Sequence, residues 1–212
     1  MNRTELLLIL DRSGSMGGLE SDTIGGFNST LEAQRKIEGQ VKVTTILFDN
    51  LFEILHDRID LEALQPMTEK QYFVRGSTAL YDAVSLGINK IKNVQKQTKA
   101  EARADKVIVV IITDGYENSS RETNAAMLKT LIEAQQAQGW EFIFMGANID
   151  ACLAAGSIGI LRDRAANYVR DSQGVKLQFS TLNEAIVTLR SDKSLSPDWK
   201  KPVEDDKKKR NL

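Results

Sequence analysis

Five oxygen-bearing side chains, carried by three short segments, have the types and spacing that could do chemistry. Asp11-Arg12-Ser13-Gly14-Ser15 follows an apolar run at 6–10. Ser77-Thr78 lies within Arg75-Gly76-Ser77-Thr78-Ala79-Leu80-Tyr81-Asp82, where a helical pattern begins. Thr113-Asp114-Gly115 ends six consecutive aliphatics at 107–112. Asp11, Ser13, Ser15, Thr78 and Asp114 together form an all-oxygen, hard-donor set, which suits Mg2+ or Mn2+, or Ca2+ if further ligands join. Two neighbouring carboxylates without a cation repel, and one of them takes a raised pKa; a divalent ion removes that conflict. Hydroxyls are weak donors, so an ion held by three of them stays electrophilic and can accept an anionic oxygen from outside. A helix expected from Gly17 to about Glu38 would add the partial positive charge of its N-terminus. The pattern points to a metal that takes a partner's carboxylate rather than to a closed structural site.

The remaining composition narrows the chemistry further. The 212 residues include one His and one Cys. That excludes an intrachain disulfide, cysteine cages and two- or three-histidine metal sites. With 28 Lys+Arg against 29 Asp+Glu the net charge is −1, so there is no electrostatic footprint for nucleic acid or an anionic membrane. Arg3 followed by five apolar residues superficially resembles a secretory signal. Asp11 closes that run short of the roughly 7–15 apolar residues required. No stretch approaches the roughly 18 apolar residues of a membrane span. A soluble, cytoplasmic protein is expected. Gly14, Gly17 and Gly18 match neither the dinucleotide fingerprint nor a P-loop, which argues against nucleotide binding.

The elements that must position these residues read as follows. Apolar runs at 6–10, 107–112 and 142–145 each end in a turn, as expected of strands buried on both faces of a parallel sheet. Helical patterns occupy 17–38, 78–96, 122–138 and 175–189, with Gly139 as a C-cap. Segments 41–48 and 51–55 are strand-like and separated by Asp49-Asn50, a two-residue hairpin that makes the second an antiparallel edge strand. The alternation predicts an α/β fold: Rossmann-like and doubly wound, with a mostly parallel central sheet, one antiparallel edge strand and helices on both faces. In such sheets the loops at the carboxyl ends of neighbouring strands converge on a crevice, which would bring Asp11 and Asp114 together. Residues 1–190 form the expected domain, and 191–212 a charged tail expected to be disordered.

In this order and placement, Asp-x-Ser-x-Ser, Thr78 and Asp114-Gly115 resemble the metal-ion-dependent adhesion site of von Willebrand factor type A domains. The Gly-Ser-Thr-Ala-Leu-Tyr-Asp-Ala and Thr-Asp-Gly segments look particularly like bacterial stand-alone members. The resemblance covers roughly residues 4–190. It implies that Ser13, Ser15 and Thr78 meet the ion through hydroxyl oxygen. Asp11 and Asp114 would surround the ion, often through water, and an Asp or Glu of a partner protein would complete the octahedron. It also implies a non-enzymatic, protein-binding role in complex assembly or regulation, beside an ATPase or a multi-subunit assembly in some members.

Other residues are expected to be structural. His56 lies on the edge strand, Cys152 packs after a turn, Trp140 opens a strand and Asp82 sits near a helix N-terminus. Tyr116, Glu117 and Asn118 read as a solvated loop. The competing functional reading is a metal-dependent hydrolase or phosphotransferase with Asp11 as nucleophile. Against it, Ser13 stands where aspartyl phosphotransferases usually carry a second acid, and no cation is fixed nearby to clamp a phosphoryl group. A third reading is a scaffold with a vestigial site.

Overall fold

Alternation along the first strand decides how the molecule is layered. In the computed structural model, which describes residues 2–210, β1 spans Arg3–Asp11. Leu6, Leu8 and Leu10 point to one face and Leu7 and Ile9 to the other, and all five are buried. A strand this apolar on both faces needs cover on both. Helices α1 (Glu20–Arg35), α5 (Ser172–Arg190) and α6 (Lys201–Lys209) cover the first face through Phe27, Phe179 and Val203. Helices α2 (Leu80–Gln97), α3 (Ala125–Gln136) and α4 (Ala151–Ser157) cover the second through Ile88, Ile132 and Ala155.

The other strands are β2 (Gln40–Phe48), β3 (Phe52–Asp60), β4 (Lys106–Thr113), β5 (Glu141–Gly146) and β6 (Ala165–Asn167). The sheet order is β3-β2-β1-β4-β5-β6. Every pairing is parallel except β2 with β3, which is antiparallel and places β3 at the edge. The fold is therefore the expected doubly wound α/β sheet. After β1 the chain moves to β2; after β4 it moves the other way, to β5. The crevice between the ends of β1 and β4 is thus the topological switch point.

Several expectations are corrected. The first helix begins at Glu20, not Gly17, because residues 14–16 form a separate 3-10 turn. The β2–β3 connection has three residues, not two. Asp49 N–H donates to Leu51 O at 2.8 Å, and Asp49 Oδ1 accepts Leu51 N–H at 2.9 Å. Neither Asp49 nor Asn50 takes a positive φ. The segment after Arg190 is folded, not disordered, over its described residues. Leu195 and Val203 are buried on the α5 side, and Trp199 Nε1–H donates to Asp163 O at 2.7 Å. Helix α4 and strand β6 have no counterpart in the sequence reading. Among the described residues no helix is long and apolar enough to cross a membrane.

Candidate metal centre

β1 and β4 are adjacent and parallel, so Asp11 at the end of one and Asp114 just past the other arrive together. Asp11 is fully buried, and both its oxygens are engaged. Oδ1 accepts Ser13 N–H at 2.7 Å and Oδ2 accepts Thr113 Oγ1–H at 2.6 Å. Ser13 and Ser15 hydroxyls lie 2.9 Å apart, and Ser15 Oγ donates to Asp114 Oδ1. The second segment closes the group: a Cβ added to Gly115 would stand 3.6 Å from Thr78 Oγ1 and 3.7 Å from Ser15 Oγ. All five side chains anticipated from sequence are thus brought to one place. Ser15 and Gly14 are exposed, so the cluster opens to solvent on the first loop.

Burial pushes the Asp11 carboxyl up to about 6; the hydrogen bonds from Thr113 and Ser13 oppose this, and the nearby Asp114 charge adds to it. Asp114 has a cationic partner that the sequence reading missed. Arg170, in the loop between β6 and α5, places Nε 2.8 Å from Asp114 Oδ2. Its Nη2 reaches the carbonyls of Ser15 and Gly17, so one guanidinium ties the third segment to the first. With Asp11, Asp114 and Arg170 counted together, one negative charge remains at the cluster, on a buried carboxylate with hydrogen bonds but no cation. Hard oxygen donors of this kind fit a divalent cation. Among the described residues no group of three His, Cys, Asp or Glu offers an alternative metal site.

Backbone hydrogen bonds hold the three loops in register. Arg75 N–H donates to Arg12 O at 2.9 Å and Gly14 N–H to Gly76 O at 3.1 Å. Gly76 has φ +67°, a left-handed conformation that favours glycine, and a Cβ there would also meet Asn50 Oδ1. Glu117 and Asn118, expected as solvated loop, instead brace Thr78 and the start of α2. Asn118 Oδ1 accepts Thr78 N–H at 2.8 Å, and Thr78 O accepts Asn118 N–H at 3.0 Å. Glu117 accepts the N–H groups of Tyr81 at 2.9 Å and Ser120 at 2.6 Å. Asp82 accepts Thr123 N–H at 2.7 Å from the same loop.

Beneath the site lies a second feature that the sequence did not reveal. Arg12, the residue between Asp11 and Ser13, is fully buried and points away from the cluster. Its Nε meets Asp49 Oδ2 at 2.9 Å and its Nη1 meets Glu53 at 2.8 Å. Arg75 Nε meets the same Asp49 oxygen at 2.8 Å. The Phe73 ring lies under both guanidinium groups, at 5.5 and 5.4 Å. Tyr72 OH donates to Asp11 O at 2.6 Å, with its pKa raised by burial. His56 is structural as expected: buried, bonded to Thr45 Oγ1 at 3.0 Å and stacked on Phe27.

No protein-family model matches the sequence, and no curated protein matches it. Solved structures do share its fold. The vWF domain of the type V pili tip protein Mfa5 from Porphyromonas gingivalis is 10% identical at TM-score 0.62, over 92% of this chain and 98% of that one. Manganese-loaded TRAP protein from Plasmodium vivax is 17% identical at TM-score 0.56, over 82% and 71%. Proximal thread matrix protein 1 from the mussel byssus, with a zinc-occupied MIDAS motif, is 11% identical at TM-score 0.56, over 89% and 46%. This chain therefore spans less than half of the byssal chain's length. At such identities the likeness is one of fold, and function must be argued from the site.

Proposed function

Starting from a von Willebrand factor type A fold, we propose that this chain is a divalent-metal-dependent protein-binding module acting in complex assembly or regulation. One observation carries the reading: the convergence of Ser13, Ser15, Thr78, Asp11 and Asp114 at the switch point, with Asp11 buried and without a cation. Ser13, Ser15 and Thr78 would hold the ion through hydroxyl oxygen, with Asp11 and Asp114 supplying the compensating charge. Mg2+ is the ion we propose, with Mn2+ or Ca2+ as substitutes. The byssal protein with its zinc-occupied MIDAS motif and the manganese-loaded TRAP protein share this fold and hold divalent ions, which supports a divalent ion here. When bound, the ion supplies a positive anchor for an Asp or Glu of a partner protein. Arg170 and the Asn118–Thr78 hydrogen bonds keep the loops in place for that contact.

The geometry disfavours the hydrolase alternative. A nucleophilic Asp11 would need a free, accessible oxygen, whereas the side chain is buried and both oxygens accept hydrogen bonds.

The test is a thermal melt in EDTA and with excess Mg2+, Mn2+ or Ca2+. An ion at a hundredfold its dissociation constant adds about 2.7 kcal/mol, a rise of about 5–10 °C for a chain of this size. Thr78→Ala should abolish the rise while leaving the EDTA melting temperature within about 2 °C. No shift with any divalent ion sinks the proposal. Capture of a partner that needs Mg2+, and that fails when the partner's acidic residue is neutralised, completes the test.

A further inference from the structure

A second cavity lies at the opposite end of the sheet, under the amino ends of β4 and β5. It has a volume of about 490 Å3, within the range of about 300–1,000 Å3 typical of small-molecule sites. Its walls come from the last turns of α2, residues 103–107 after the 3-10 turn at 100–102, and the end of α3 with its connection to β5.

Its charge distribution is lopsided. Lys92, Lys96 and Arg103 line it, and none of the three forms an ion pair among the described residues, although most cations of the chain's other surfaces do. Arg103 is held in place by its Nε–H, which donates to Thr98 O at 2.9 Å and leaves the outer guanidinium nitrogens without partners. Asp105, the sole carboxylate in the lining, is turned to the first strand, where Oδ2 accepts Arg3 N–H at 2.8 Å. The lining thus carries a formal charge of +2 in a chain whose net charge is −1.

The neutral groups complete the walls. Trp140 walls one side, stacked on Phe142 at 6.5 Å. Gln135 contributes to the same wall, is 2% exposed and keeps a buried Oε1 without a hydrogen bond, an acceptor that suits a hydroxyl or amino group of an organic moiety and not the phosphate. The floor is fixed, because Gln95 Oε1 accepts Ala104 N–H at 3.1 Å. Three cations without ion pairs lining one concave space suit an anion with several acceptor oxygens.

We propose that this cavity binds a small phosphorylated molecule, with Lys92, Lys96 and Arg103 on the phosphate and Trp140 against its organic part. The site is independent of the metal centre, at the other end of the same strands.

The test uses the full chain carrying Trp199→Phe, so that Trp140 is its only indole, titrated with inorganic phosphate, pyrophosphate and AMP while fluorescence is followed. A saturable change with a dissociation constant below about 1 mM is expected for at least one of them. Tighter binding of AMP than of phosphate assigns the organic part to the Trp140 wall; equal binding assigns the site to the phosphate group alone. Lys92→Gln with Lys96→Gln, both on the solvated side of α2, should weaken binding at least about tenfold with an unchanged melt. Thr78→Ala and EDTA should leave it unaltered. The absence of a saturable change with all three probes, or undiminished affinity in the double variant, overturns the proposal.

Discussion

Replacing Arg12 and Asp49 in turn should give unequal losses of stability, and the order follows from who keeps a partner. Both side chains are inaccessible and meet at 2.9 Å. Asp49→Asn leaves a fully buried guanidinium with Glu53, whose side chain is 49% exposed, as its one carboxylate partner, and Arg12 Nη2 has no partner even now. Removing one member of a buried pair in this way costs about 3–4 kcal/mol. Arg12→Met conserves most of the volume, and Asp49 retains Arg75 Nε at 2.8 Å and Leu51 N–H at 2.9 Å. The loss should then be about 1.5–2.5 kcal/mol. Urea unfolding with an unchanged slope measures both, and the double variant should cost about 1–2 kcal/mol less than the sum.

The acid limb gives an independent reading. Burial pushes the Asp49 carboxyl up, but hydrogen bonds from Arg75, Leu51 N–H and Arg12 outweigh it and hold the pKa below the ordinary carboxylate value. A depressed carboxyl contributes stability that is complete above the unfolded value of about 4 and is lost as pH falls through the folded one. Asp49→Asn should therefore flatten the fall in stability below about pH 4. A loss for Arg12→Met equal to or larger than that for Asp49→Asn would refute the reasoning.

Other consequences are equally direct. Gly26 on α1 packs against α5, where an added Cβ would stand 2.0 Å from Phe179 Cδ2; Gly26→Ala should lower stability by about 1–3 kcal/mol in urea unfolding. Burial holds His56 below its ordinary pKa, so the unfolded chain takes the proton first and stability falls as pH drops below about 6.5. His56→Phe should remove that part of the slope between about pH 7 and 5, read from paired urea titrations. Val203 is 1% exposed at the α5–α6 contact, and Val203→Ala should cost about 1–2 kcal/mol, whereas a disordered segment would show no change.

The fold was largely legible because its main strands are continuous aliphatic runs. The runs at 107–112 and 142–145 became β4 and β5, since only a strand covered on both faces needs apolar residues without alternation. Elements too short to show a period escaped. β6 has three residues, and α4 has seven. Helix α6 escaped for another reason: its sequence, KPVEDDKKK, reads as solvated, and the one buried residue, Val203, matters only where another helix offers it an apolar surface.

The metal-centre candidates followed from residue type and from their position at strand ends, since hydroxyl and carboxylate chemistry does not depend on fold. Their surroundings did depend on it. Arg170 stands 56 residues from Asp114, and Arg12 stands 37 from Asp49. No local pattern distinguishes these arginines from solvated ones, because an ion pair is a matter of distance in space. Glu117 and Asn118 likewise gained their role only when the loop after β4 closed over α2. Local sequence specified which groups could bind a hard cation. Chain packing decided which charges neighbour them, because electrostatics and hydrogen bonding act over a few ångströms, and only the folded sheet brings residues so far apart in sequence that close.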